Sequence, residues 1–176
     1  DNGSYLSGRP VHGRIDERTD GGCRINPLAG LEKAQVIFVL GADPHQSVPV
    51  LSYYLKRAAR KGIPLIIADP RKTELVSFSS LWLNLSPHTD LQIINGLAAL
   101  LSGKKTYDHS FVDRFTEGFN LYQEGLSSLN LERVCQVTGI KMEILEKAAD
   151  LLKGRKVAFV VGHGILQQKY GVQCMD

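Results

Sequence analysis

The 176-residue chain carries 21 Lys and Arg against 18 Asp and Glu, a formal charge of +3, with 43% apolar and 22% charged residues. That length suits one hydrophobic core with an appendage, and the small, scattered charge argues against a nucleic-acid surface. No apolar run approaches the about 20 residues of a membrane span; the separated Cys23, Cys135 and Cys174 fit neither a disulfide framework nor a paired-cysteine metal site, so a reducing, cytoplasmic setting without membrane insertion is expected.

Residues 1–30 mix glycine, proline and charge without helical or strand period and are expected to be an irregular connecting segment. Val36-Ile37-Phe38-Val39-Leu40 then predicts a strand over 35–41, followed by an amphipathic helix over 47–61 with Ser47 as a plausible N-cap before Pro49 and Gly62 as a left-handed stop. Leu65-Ile66-Ile67-Ala68 predicts a strand over 64–68, and a helical turn follows around 72–78. In 81–85, Leu-Trp-Leu-Asn-Leu alternates three leucines against Trp82 and Asn84, predicting a third strand. Thr89 or Asp90 is the natural cap of a buried helix over 91–101. Helices are expected at 108–116, 121–127, 130–138 and 141–152, and Val157-Ala158-Phe159-Val160-Val161 reads as a last strand ending in Gly162-His163-Gly164. Strands alternating with helices, without hairpin turns, make an α/β fold with a Rossmann-like parallel sheet and helices on both faces.

In such sheets ligands bind beyond the carboxyl ends of the strands. The first turn there, Gly41-Ala42-Asp43-Pro44, lacks the G-x-G-x-x-G spacing of a dinucleotide fingerprint. It is either a phosphate-approach loop or a plain strand-to-helix turn with Asp43 as cap. Asp69 closes the second strand, where an acid can take both hydroxyls of a ribose, and Arg71 can grip a phosphate or carbonyl; the plainer reading is an Asp-Pro turn with a solvated arginine. Asp90 either accepts N–H donors from a guanine edge or caps its helix. His163, with Gln167 and Gln168 beyond, lies in a glycine turn that either admits a ligand or needs none. The histidines His12, His45, His88 and His109 show no metal-ligand spacing, and no nucleophile has a paired base. The residues therefore describe a nucleotide-binding module without a catalytic centre of its own.

Six blocks in order carry a family resemblance: Gly41-Ala42-Asp43-Pro44 through Leu51, Asp69-Pro70-Arg71-Lys72-Thr73, Thr89-Asp90-Leu91 with Asn95-Gly96-Leu97, Phe115 to Phe119, Val137-Thr138-Gly139-Ile140, and Gly162 to Gln167. From about residue 31 onward the sequence resembles the central region of the molybdopterin oxidoreductases, both the large subunit of formate dehydrogenases and the large iron-sulfur subunit of NADH-quinone oxidoreductase (NADH dehydrogenase). The resemblance implies the middle domain of the formate dehydrogenase and DMSO reductase type, with 31–154 as a Rossmann-like unit binding a molybdopterin guanine dinucleotide and 155–176 as the start of the adjoining dinucleotide-binding unit. The implied cofactor contacts are Gly41, Asp43, Gln46, Asp69, Arg71, Thr73, His88, Asp90, His163, Gly164 and Gln167, with no catalytic residue and no metal ligand among them. In the family two such pterins hold molybdenum or tungsten.

Three positions depart from the family pattern. Asp43 stands where the family has Asn, His88 where it has Gly and His163 where it commonly has Met; Asp43 exchanges a donor amide for a carboxylate that only accepts. The resemblance implies a piece of an electron-transferring oxidoreductase whose iron-sulfur clusters lie elsewhere in the parent. Its partners are expected to be the remaining domains and electron-transfer subunits, and the piece alone is expected to be inactive. The other reading is a cofactor-free structural domain of the NADH-quinone oxidoreductase iron-sulfur subunit, toward which Arg14-Ile15-Asp16-Glu17-Arg18-Thr19-Asp20 leans.

Overall fold

The computed structural model describes residues 28–103, 107 and 109–166. Most of the expected irregular segment, with Cys23, Cys174, Gln167 and Gln168, lies outside them. The described chain opens with a 3-10 helix, Leu28–Lys33.

Five consecutive apolar residues form β1, Val36–Leu40, and every one is buried. A run without polar alternation suits a strand covered on both faces. Its even-numbered residues Val36, Phe38 and Leu40 face one core, while Ile37 and Val39 face the other. β2, Leu65–Ala68, is equally buried and pairs in parallel with β1, Ile37 opposite Leu65 and Leu40 opposite Ala68. β3, Leu81–Leu83, pairs in parallel with β2, and β4, Val157–Val161, pairs in parallel with β1 from Val36 opposite Val157 to Leu40 opposite Val161. The sheet order is β3-β2-β1-β4. β4, which opens the 155–176 stretch, therefore shares a sheet with the residues before 154.

The stretch from 44 to 60 is two helices rather than one. α1, Pro44–Ser47, stops at Val48, and α2, Pro49–Arg60, starts anew. Val48 precedes a proline and is pushed to φ −143° and ψ 76°, outside helical space. Consequently Val48, not Ser47, occupies the N-cap of α2, and it offers no side-chain bond. The Ser47 hydroxyl instead donates back to the Asp43 carbonyl at 2.9 Å. Along α2 Leu51, Leu55 and Ala58 repeat at helical spacing and bury against Ile37, Val39, Leu65 and Ile67. Each leucine contributes about 1.5–3 kcal/mol by leaving water. Gly62 ends the turn after α2 at φ +86°, the left-handed geometry expected of it.

The opposite face carries α3, Asp90–Gly103, and α7, Met142–Leu152, whose Ile93, Leu97, Leu145, Ala148 and Leu152 join Phe38, Ile66 and Leu83 in the other core. Between these two helices run α4, His109–Phe115, α5, Phe119–Ser127, and α6, Leu131–Thr138. Gly96 lets α6 approach α3: a Cβ there would lie 3.0 Å from Val134 Cγ1. Gly139 caps α6 at φ +73°, and the Thr138 carbonyl accepts the Ser86 N–H at 2.8 Å, tying α6 to the loop after β3. Helices thus cover both faces of the parallel sheet. No helix among the described residues is long and apolar enough to cross a membrane.

Candidate functional site

All four strands run the same way, so the turns after them gather on one edge. β1 has β2 on one side, reached through α2, and β4 on the other, reached across the opposite face. The connections leave in opposite directions at this point, which is where an open α/β sheet forms its binding crevice. The two walls of the crevice touch. Gly162 N–H donates to the Leu40 carbonyl at 3.0 Å and Gly164 N–H to the Gly41 carbonyl at 3.0 Å. A Cβ on Gly162 would collide with the Gly41 carbonyl oxygen and with Ala42, while one on Gly41 would lie 3.0 Å from Ile165 Cγ1. These glycines are required by contact between the turns themselves. Gly41 is also left-handed, at φ +55°. His163, half-buried, begins α8, His163–Leu166.

On the other side of β1 stands a charged group. Asp69 is buried, only 2% exposed, and its main chain is held on both sides: Trp82 Nε1 donates to its carbonyl at 3.0 Å and its own N–H reaches the Leu83 carbonyl at 3.3 Å. Asp69 Oδ1 accepts from the Arg71 backbone N–H at 2.8 Å and from Arg71 Nε at 3.2 Å. Oδ2 meets Arg71 Nη2 only at 3.4 Å, which leaves it acceptor capacity for a ligand. The guanidinium is exposed and held more firmly protonated than usual, first by the Asp69 carboxylate and further by Asp43. Trp82, which the sequence assigns only to a strand face, has a role in setting the Asp69 main chain.

Asp43 does not cap α1 with its side chain. Among the described residues its buried Oδ1 has no hydrogen-bond partner, and neither has Thr73 Oγ1, two residues past Arg71. Orphaned buried polar atoms are uncommon in native folds, so each of the two calls for an explanation. His45 Nε2 meets Glu74 Oε2 at 2.6 Å, and Lys56 pairs with the same carboxylate, so the turns bearing Asp43 and Thr73 are joined. Glu74 is held below the usual carboxylate range, chiefly by Lys56. Gln46 is exposed on α1.

After β3 the chain passes Ser86-Pro87-His88 to enter α3. Thr89 Oγ1 donates to the Ser86 carbonyl at 2.6 Å, and Asp90 is buried in the first turn of the helix. His88 is exposed at φ +64°, the one left-handed non-glycine among the described residues. Gln92 Oε1, in the first turn of α3, is another buried acceptor without a partner among the described residues, a position the sequence does not single out. The sheet thus brings Asp43, Asp69, Arg71 and Thr73 together on adjoining turns and sets Gly41, His163 and Gly164 at the β1–β4 crevice. Asp90 and His88 stand beyond β3, and Gln167 lies outside the described residues.

The family model of the molybdopterin oxidoreductases matches residues 9–176 of this chain. The chain belongs to the molybdopterin oxidoreductase family. Formate dehydrogenase H of Escherichia coli (strain K12) is 26% identical over 160 residues, 90% of this chain and 22% of that protein. The alpha subunit of an F420-dependent formate dehydrogenase from Methanocaldococcus jannaschii is 24% identical over 88% of the chain and 23% of its own length. The assimilatory nitrate reductase catalytic subunit of Bacillus subtilis (strain 168) is 27% identical over 83% of the chain and 21% of that subunit. Acetylene hydratase from Pelobacter acetylenicus superposes with a TM-score of 0.74 at 22% identity, over 84% of this chain and 23% of that one, and shares the fold. The chain spans under a quarter of the length of these relatives. Membership of the molybdopterin oxidoreductase family implies a molybdopterin cofactor. The residues at the sheet edge fit part of such a group: buried Asp69 keeps acceptor capacity on Oδ2, and Thr73 Oγ1 lacks a partner among the described residues.

Proposed function

We propose that this molybdopterin oxidoreductase chain is the nucleotide-binding part of a formate dehydrogenase-like enzyme and holds the guanine nucleotide end of a molybdopterin guanine dinucleotide. The observation that carries the reading is the convergence of Asp43, Asp69, Arg71 and Thr73 at the carboxyl edge of the sheet, two of them with unpartnered buried oxygens. Asp69 Oδ2 accepts ribose hydroxyls while Oδ1 stays fixed by the Arg71 N–H. Asp90, buried at the start of α3, accepts guanine N–H groups, and Arg71, its exposed guanidinium held on Asp69, keeps the Asp69 carboxylate in place for the ribose. The touching turns of Gly41 and Gly164 border the pterin end. When bound, the cofactor supplies the metal centre at which electrons are exchanged with a substrate; the residues of the sheet edge bind and orient it. Iron-sulfur clusters and the remaining domains of a longer protein complete the electron path.

Titrating guanosine or GDP into the isotopically labelled 176-residue chain tests this by amide chemical shifts. Changes confined to the turns around Asp43, Asp69 and Asp90 are expected. Dispersed changes, or none at millimolar ligand, would count against it.

A further inference from the structure

The turn after β1 is where this fold brings the phosphates of a nucleotide against the protein. Its chemistry in this chain is unusual for that task. Asp43 presents a carboxylate, a group with acceptors only, and its Oδ1 is buried with no donor among the described residues. Pro44, at the first position of the helix that follows, has no N–H to offer an anion. Among the described residues, the nearby cations other than Lys72 are already engaged. Arg71 is bound to Asp69 through both its backbone and its guanidinium, and Asp43 acts on the same charge, so the three residues together leave one net negative charge. His45 and Lys56 both turn to Glu74. Lys72, the remaining cation of the second turn, is exposed, where water and salt screen it. The His45–Glu74 pair joins the first turn to the second and so keeps Asp43 beside this group.

We propose that Asp43 is a specificity residue: it makes this edge prefer a ligand group that donates a hydrogen bond at the turn after β1, such as a hydroxyl or N–H, over a bare phosphate. The inference rests on the nucleotide reading above and adds a selection by charge to it. A donor placed on Oδ1 satisfies a buried acceptor, whereas a phosphate oxygen leaves it unsatisfied and adds repulsion.

The test compares guanosine and GDP, titrated calorimetrically into the 176-residue chain and its Asp43→Asn variant in EDTA, so that no divalent ion screens the phosphates. The wild-type chain is expected to bind guanosine more tightly than GDP, and Asp43→Asn to shift the ratio of the two affinities roughly tenfold toward GDP. The amide is isosteric and can donate, and circular dichroism reports whether the variant remains folded. A wild-type preference for GDP, or a ratio that Asp43→Asn does not move, would overturn the assignment of Asp43. Failure of both probes to bind either folded variant would instead refute the nucleotide reading, and this inference would fall with it.

Discussion

Asp69 and Arg71 are two residues apart and close on one another: Asp69 Oδ1 takes the Arg71 backbone N–H at 2.8 Å and Nε at 3.2 Å. The proline between them fixes the bend that makes both contacts possible. A carboxylate that is 2% exposed is thereby oriented by its own chain before any ligand arrives. Its second oxygen has a looser contact at 3.4 Å and keeps acceptor capacity.

Replacing Asp69 by Asn keeps the shape and removes the charge. Because Arg71 is largely exposed, the ion pair contributes little to stability, and a loss of about 1 kcal/mol is expected in chemical denaturation. Guanosine affinity should fall roughly tenfold or more, since a charged acceptor to a hydroxyl is replaced by a neutral one. An affinity left intact would show that Asp69 is only a turn residue.

His88 sits at φ +64° with its side chain exposed, so the left-handed backbone is strained and no packing compensates it. For an L residue this conformation costs about 1–2 kcal/mol, while glycine adopts it freely but loses more entropy on folding, about 0.5–1 kcal/mol. His88→Gly is expected to raise the stability by roughly 0.5–1 kcal/mol, seen as a higher denaturant midpoint at an unchanged slope. A lower midpoint would mean that His88 makes a stabilising contact.

Two glycines separate close approach from mere permissiveness. Gly162→Ala drives a methyl into the Gly41 carbonyl and Ala42, backbone that cannot yield without parting β1 from β4, and about 3 kcal/mol or outright failure to fold is expected. Gly125 in α5 has open space around its Cβ direction, so Gly125→Ala should gain about 0.5–1 kcal/mol of helix stability. Thermal melts of the pair check both signs.

Glu74 holds Lys56 and His45, and its carboxyl is depressed below the ordinary 4.5. A depressed folded-state value means that the unfolded chain binds this proton more readily as the pH falls. The contribution of Glu74 is therefore complete above the ordinary carboxylate range and is lost as acid carries the solution through its lowered value. Glu74→Gln should flatten the acid limb of stability against pH, measured by denaturant midpoints from neutral pH downward. An unaltered limb would show that Glu74 is not among the groups that set it.

The elements were largely legible in the chain because their causes are local. Five buried apolar residues before a glycine make β1, the spacing of Leu51, Leu55 and Ala58 makes α2, and Gly62 ends its helix at positive φ as expected. The family blocks were also visible, but their reasons were not. Gly96 makes room for Val134, and Thr138 anchors the loop before α3, so these blocks support the edge from a distance. One local feature was misplaced: Ser47 looks like a cap, yet the proline two residues later excludes Val48 from helical space and moves the start of α2.

What only the tertiary structure decided was the neighbourhood of the strands. That β4 pairs with β1, across about 120 intervening residues, is settled by the core that α3 and α7 build on one face, and no local pattern encodes it. The same pairing brings Gly41 and Gly164 into contact at the carboxyl edge of the sheet. Asp43 shows the difference most plainly. Sequence alone allows it to be a helix cap, whereas the folded chain leaves its Oδ1 buried, beside an arginine already claimed by Asp69. Whether a polar atom is satisfied depends on what the rest of the chain brings within hydrogen-bond reach, and that is a property of the assembled fold.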